Sequence, residues 1–116
     1  MGWLVWNKVQ RDFSLADGEL AWTSFSNALR IFDVSRASAL LDGKEHPTQK
    51  SLEVIKRAIG YADRHGEAAT ILDPFMGSGT TMRAAKDLRR KAIGIEIEEK
   101  YCEIAVKRLA QGVLAL

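Results

Sequence analysis

The spacing of apolar positions changes character along the chain. "GWLVWNK" (Gly2 to Lys8) is short, aromatic and β-branched, which predicts a strand. "GELAWTSF" and "ALRIFDVS" follow across Ser26 and Asn27, and they read as two further strands paired through a tight connection. The pattern then fades over "RASALLDGKE", residues 36–45, a loop around Gly43. Helical spacing takes over in "HPTQKSLEVIKRAIGYADRHG", where Leu52, Ile55, Ile59 and Ala62 form a stripe and Glu53, Lys56 and Arg57 face away. Pro47 disfavours helix at His46, Thr48 can cap the first turn, and Gly66 can stop the last, with His65 a helix-end cation.

The remainder repeats one unit. "ATILD" predicts a strand and "GTTMRAAKDLRR" a helix with Met82, Ala85 and Leu88 inward. "KAIGIEI" predicts the next strand, and "EEKYCEIAVKRLA" a helix with Tyr101, Ile104, Ala105 and Leu109 on one stripe. Strand, helix, strand, helix implies a right-handed crossover, so the strands near 69–73 and 91–97 should lie parallel and side by side.

Composition adds boundaries. A chain of 116 residues, 47% hydrophobic and 28% charged, suits one compact domain with a modest core. Lys plus Arg exceed Asp plus Glu by 17 to 15, too little to name an acidic partner. The run Arg83, Lys86, Arg89, Arg90 and Lys91 reads as a solvated helix face ahead of a nucleic-acid footprint. Trp3, Trp6 and Trp22 read as strand packing ahead of base stacking. Cys102 is the single cysteine, which excludes an intrachain disulfide and a cysteine-rich metal site. No apolar run reaches membrane-spanning length and no signal-peptide pattern opens the chain, so a cytoplasmic setting is expected.

The candidate chemistry lies in "ATILDPFMGSGTTMRAAKDL" (Ala69 to Leu88). Gly77 and Gly79 follow a strand and open a helix, where bare backbone and free N–H groups favour a negatively charged ligand group. A nucleotide-hydrolase phosphate loop would need Lys after the last glycine, and Thr80 and Thr81 stand there instead. A dinucleotide fingerprint wants a small residue at Met82. Glu96, 17 positions beyond Gly79 at the tip of the next strand, is placed for a ribose diol. The residues themselves indicate an adenosine-type cofactor and leave open which one.

Three segments carry a family resemblance. "DPFMGSGTT" (Asp73 to Thr81) resembles motif I of S-adenosylmethionine-dependent DNA amino-methyltransferases, which modify adenine N6 or cytosine N4. "HPTQK" (His46 to Lys50) resembles their motif X, and "GIEIEEKYCEIAVKRL" (Gly94 to Leu109) is similar to motif II and its helix. The order X, I, II matches the family's permuted arrangement and covers roughly the last 70 residues. The N-terminal strands resemble motif VI and the neighbourhood of motif VIII more loosely.

The resemblance implies an α/β, partial Rossmann-like fold, a parallel core sheet with flanking helices, as a single domain over 1–116. Within it, residues 1–35 would be strands of the catalytic half, 36–45 a loop and 46–116 the cofactor-binding half. It implies that S-adenosylmethionine is held by His46, Thr48, Lys50, Asp73, Phe75, Gly77, Gly79, Thr80, Thr81, Glu96 and Ile97. Asp73 would meet the methionine amino group, and Thr48, Lys50, Thr80 and Thr81 its carboxylate. Phe75 would line the pocket, Glu96 would take the ribose hydroxyls, and Ile97 would pack on adenine. DNA would be the partner.

One family element is missing. The catalytic D-P-P-Y-type tetrapeptide needs adjacent prolines, and the only two are Pro47 and Pro74. The resemblance therefore implies the C-terminal part of a methyltransferase, with the motif IV strand absent from between the motif I and motif VI strands. No residue of this chain is assigned a catalytic role. The competing readings are a cofactor-binding or interaction module without catalysis, the second piece of a split enzyme, and a nicotinamide-dependent domain, against which Met82 and "DPF" count.

Overall fold

Leu4 and Trp6 alternate with Trp3 and Val5 along the first strand, and their burial shows which face of that strand turns inward. The computed structural model describes residues 1–10, 16–35, 50–65 and 70–112. Strand β1 (Gly2–Asn7) is central in a three-stranded sheet, with β2 (Gly18–Thr23) antiparallel on one edge and β3 (Arg30–Asp33) parallel on the other. The Trp6 indole N–H donates to the Val34 carbonyl at 2.7 Å, so this tryptophan both packs and fastens the end of β3.

The expected pairing of the second and third strands with each other does not occur. β2 ends with Thr23 opposite Gly2, and β3 begins with Arg30 opposite Leu4, so the connection passes beneath the start of β1. Asn27 makes that crossing: its side chain bonds Thr23 Oγ1 at 2.5 Å and donates to the Ala28 carbonyl at 2.8 Å. A Cβ on Gly2 would collide with the Asn27 side chain, so glycine there lets the connection pass.

The second half follows the predicted alternation: α1 (Leu52–His65), β4 (Thr70–Asp73), α2 (Thr80–Asp87), β5 (Lys91–Gly94) and α3 (Glu99–Ala110). β4 and β5 pair in parallel, from Thr70 opposite Lys91 to Asp73 opposite Gly94. Backbone bonds extend the contact, Ile95 N–H to Asp73 O at 2.9 Å and Met76 N–H to Ile95 O at 3.0 Å. Regular pairing thus stops at Gly94, and Glu96 and Ile97 stand beyond it.

Among the described residues, α1 packs against α2 and α2 against α3, with α2 also seated on β4 and β5. Ala84, Ala85 and Ala105 are essentially inaccessible, and their small side chains let α2 and α3 approach closely. Lys56 pairs with Asp87 at 2.8 Å and Arg90 with Asp63 at 2.9 Å, tying α1 to the unit behind it. Between α1 and the Leu4/Trp6 face of the first sheet lies an apolar cavity of about 200 Å³.

The expected solvated face of basic residues is corrected at two positions. Arg83 donates to the carbonyls of Arg108, Gln111 and Gly112 and pairs with Asp87, while Lys86 reaches the carbonyls of Leu109 and Gln111. Two cations of α2 therefore satisfy carbonyls at the C-terminal end of α3, where the helix dipole favours positive charge. Arg90 is held by Asp63, and Arg89 and Lys91 remain exposed. Of the tryptophans, Trp6 is buried as expected, but Trp3 and Trp22 face each other across β1 and β2 on an exposed face.

The five strands do not form one sheet among the described residues: β2-β1-β3 and β4-β5 are separate. A break between β4-β5 and the N-terminal strands is what the resemblance implies for a sheet without its motif IV strand. The parallel edge of β1, however, is occupied by β3. The loop at 36–45, His46, Pro47, Thr48 and the stop at Gly66 lie outside the described residues. No described helix is long and apolar enough to cross a membrane.

Candidate cofactor site

β4 delivers Asp73 to the start of the glycine turn, and the turn needs its glycines. Gly77 and Gly79 have φ of 55° and 87°, in the left-handed region. Gly79 is also the residue immediately before α2: its N–H bonds Met76 O at 2.9 Å and its carbonyl accepts from Arg83 N–H at 2.8 Å. A Cβ on Gly79 would lie 2.7 Å from the Ala105 Cβ. Close approach at this glycine is therefore made by α3.

The two acidic candidates share a local geometry. Asp73 Oδ1 accepts the Phe75 N–H at 3.0 Å, and Glu96 Oε1 accepts the Glu98 N–H at 2.9 Å. Each carboxylate is turned by a backbone amide two residues on; Asp73 is the last residue of β4 and Glu96 lies just beyond the C-terminal end of its parallel partner β5. The other oxygen of each has no hydrogen-bond partner among the described residues. On the same two loops Phe75 is 88% exposed and Ile97 97% exposed. Two oriented acceptors flanked by two uncovered apolar side chains can accept from polar N–H or O–H groups while gripping a flat apolar body. Nearby, Lys100 is held above the ordinary lysine value, chiefly by the Tyr101 oxygen and then by Glu98.

The remaining predicted residues divide. Thr81 is half-buried in the first turn of α2. Thr80 is buried, and its Oγ1 accepts from Arg108 at 3.1 Å. Lys50 pairs with Glu19 at 2.8 Å on the rim of the apolar cavity, and no hydrogen bond or ion pair joins it to the glycine loop. His46 and Thr48 lie outside the described residues. Cys102 is a free thiol whose Sγ approaches the Glu96 carbonyl at 3.5 Å, and no metal-binding cluster occurs among the described residues.

Arg108 is the residue that the sequence reading missed. Its Nη1 donates to Ser78 O, Ser78 Oγ and Thr80 Oγ1, all at 3.1 Å, so α3 fastens the glycine turn from behind. The signal was present: Arg108 continues the stripe Tyr101, Ile104, Ala105 at helical spacing, and a cation at an inward position demands partners. Arg108→Met is expected to lower stability by about 2 kcal/mol, the scale of lost charge-assisted hydrogen bonds. It should also speed amide exchange at Gly79 relative to Leu4. Urea unfolding and exchange mass spectrometry check this, and an unchanged midpoint would make the clamp energetically idle.

The profile of the N6_N4_Mtase family, described as DNA methylase, matches residues 5–107. Type II methyltransferase M2.LlaDCHI of Lactococcus lactis subsp. cremoris is 48% identical over 68 residues, 59% of this chain and 24% of that protein. DNA adenine methyltransferase YhdJ of Escherichia coli (strain K12) is 41% identical over 80 residues, 68% of this chain and 26% of that protein. The crystal structure of an M1.HpyAVI-SAM complex superposes with a TM-score of 0.68 at 31% identity, covering 94% of this chain and 61% of that one. The chain spans about a quarter of the length of the curated relatives it matches.

Proposed function

The chain belongs to the N6_N4_Mtase family of DNA methylases, and from that premise we propose that it holds S-adenosylmethionine for methyl transfer to adenine N6 or cytosine N4 of DNA. The observation that carries this reading is the pair of amide-oriented carboxylates, Asp73 and Glu96, flanked by exposed Phe75 and Ile97. The second carboxylate oxygen of Asp73 accepts from the methionine ammonium, and that of Glu96 from the ribose hydroxyls. Phe75 would line the pocket and Ile97 would pack on the adenine. When bound, the cofactor supplies an electrophilic methyl group.

The methionine carboxylate lies at the N-terminal end of α2, against the backbone after Gly77 and Gly79 and the Thr81 hydroxyl. Thr80 contributes its N–H, since its oxygen is engaged by Arg108. Thr48 and Lys50, from the motif X segment that also carries His46, would add contacts to that carboxylate. Lys50 must leave Glu19 to do so, and an exposed pair of that kind is worth only about 0–1 kcal/mol. Handling of the target base falls to residues beyond this chain, because no D-P-P-Y-type tetrapeptide is present. The setting is the cytoplasm. The same absence favours a second reading, a cofactor-binding module that performs no transfer by itself.

Calorimetric titration tests the site. S-adenosylmethionine should bind and NAD should not, and Glu96→Ala should weaken binding about ten-fold, the loss of one charge-assisted contact. Absence of binding would end the cofactor assignment, and undiminished affinity in the variant would remove Glu96 from it.

A further inference from the structure

Charge is not spread evenly along β4 and β5. Their C-terminal ends carry the acids Asp73 and Glu96, with Glu98 and Glu99 just beyond. The opposite end is basic. Lys91 opens β5 beside Thr70, the first residue of β4, and Arg89 and Arg90 lead into it. The bridge from Arg90 to Asp63, at 2.9 Å, brings the last turn of α1 to the same corner, so Arg64 and Arg89 flank one ion pair. Segments 27 residues apart in sequence thus pool their cations, a grouping that the run from Arg83 to Lys91 does not reveal.

The described carboxylates at this end are already answered. Asp63 is held by Arg90, and Asp87 by Lys56 and Arg83. Glu53 has Arg57, an exposed pair at 2.9 Å that releases readily. Arg64, Arg89 and Lys91 are exposed and make no ion pair among the described residues. Arg89 also holds a φ of 58°, the left-handed position after a helix that glycine usually fills. Beside Arg64 an open groove of about 570 Å³ follows one face of α1, through Glu53, Arg57 and Gly60, to Phe32 of β3. A Cβ on Gly60 would meet no atom within 4 Å, so the floor of the groove is helix backbone with free space above it. A second hollow, of about 320 Å³, reaches Arg89 and Arg90 between α2 and α3.

We propose that this basic end is a second DNA-contact surface, on which Arg57, Arg64, Arg89 and Lys91 hold phosphates of the duplex without reading its sequence. An extended polyanion suits the arrangement, because the cations are distributed along the groove and around the corner rather than gathered on one small anion. Three of the four are arginines, whose guanidinium forks fit phosphate oxygens. Contacts of this kind position a protein on DNA and carry no base information. The target base must reach the methyl group at the acidic end, so the basic end is not the reacting one. It raises the local concentration of DNA around a chain whose reacting end repels phosphates. The inference rests on the reading of DNA as the partner, and it adds a place where the duplex is held away from the chemistry.

The test is fluorescence anisotropy of the purified 116-residue chain with labelled duplexes of two unrelated sequences. Wild type should bind both equally, with dissociation constants on the order of 10⁻⁶ to 10⁻⁴ M at physiological salt. Arg64→Gln with Arg89→Gln should weaken binding at least ten-fold at low salt and flatten the slope of log K against log salt by roughly 2. Lys100→Gln with Lys107→Gln removes the same charge from α3 and should change affinity less than two-fold. Circular dichroism and urea midpoints of both double variants should match wild type, since all four side chains are exposed. Three results overturn the inference: no binding by wild type, equal weakening by the two double variants, or displacement of the duplex by poly-glutamate as readily as by unlabelled DNA of equal charge. The last would assign the surface to an acidic polypeptide. The assay contains no cofactor, so its failure is distinct from failure of the S-adenosylmethionine titration.

Discussion

Purified by itself, the 116-residue chain is expected to incorporate no labelled methyl into unmethylated DNA above background. Transfer needs the cofactor methyl and an extruded amino group held in line, and positioning of that kind can supply about 7–11 kcal/mol of the barrier. In the proposed site, Asp73, Glu96 and their neighbours would address the first partner only. The second needs acceptors for the amino group and a ring to stack on the flipped base, which the family draws from a tetrapeptide with adjacent prolines. Pro47 and Pro74 are the only prolines, 27 positions apart, so no segment qualifies. The measurement is a filter-binding assay with tritiated S-adenosylmethionine, with and without a fragment carrying the tetrapeptide. Robust incorporation by the chain alone would overturn the account; incorporation only with the fragment would establish a two-piece enzyme.

The second large effect is structural. Gly79→Val places a β-branched residue at φ 87° and drives its Cβ to within 2.7 Å of the Ala105 Cβ and 3.2 Å of the Ala105 Cα. The left-handed backbone costs about 1–2 kcal/mol for a residue with a side chain. Overpacking adds about 1–3 kcal/mol, and the Ala105 backbone can relieve it only by moving α3. A combined loss of about 2–5 kcal/mol is a large fraction of the stability of a domain this size. Urea unfolding followed by circular dichroism should show a midpoint far below wild type. A midpoint within error of wild type would mean that the turn and α3 separate at little cost.

Where local spacing decides structure, the sequence could be read. The strand before Asp73, the helix after Gly79 and the parallel pairing of β4 with β5 follow from an alternation of periods that tertiary contacts did not override. Burial of Ala105 followed from its stripe, whereas the reading of three packed tryptophans held for Trp6 alone. Where the partner is distant in sequence, reading failed. The crossing of the chain beneath Gly2 depends on Asn27 fitting a gap that only a folded β1 creates. The Arg83 and Lys86 charges are answered by carbonyls 23 to 29 residues away, and no periodicity encodes a lone carbonyl. At the site, the acidic and glycine positions could be named from their order along the chain. The orientation of Asp73 and Glu96 by Phe75 and Glu98 amides, and the engagement of Thr80 by Arg108, could not.

The lacing between α2 and α3 runs in both directions. Arg83 and Lys86 hold the end of α3, and Arg108 of α3 holds the turn that starts α2. Neither helix can fray without releasing charges that the other has desolvated, so turn and helices open as one foldon. The glycine turn consequently inherits the opening rate of a helix pair. A ligand that stabilises the loop is felt at residue 112, more than thirty positions downstream, with no change of shape.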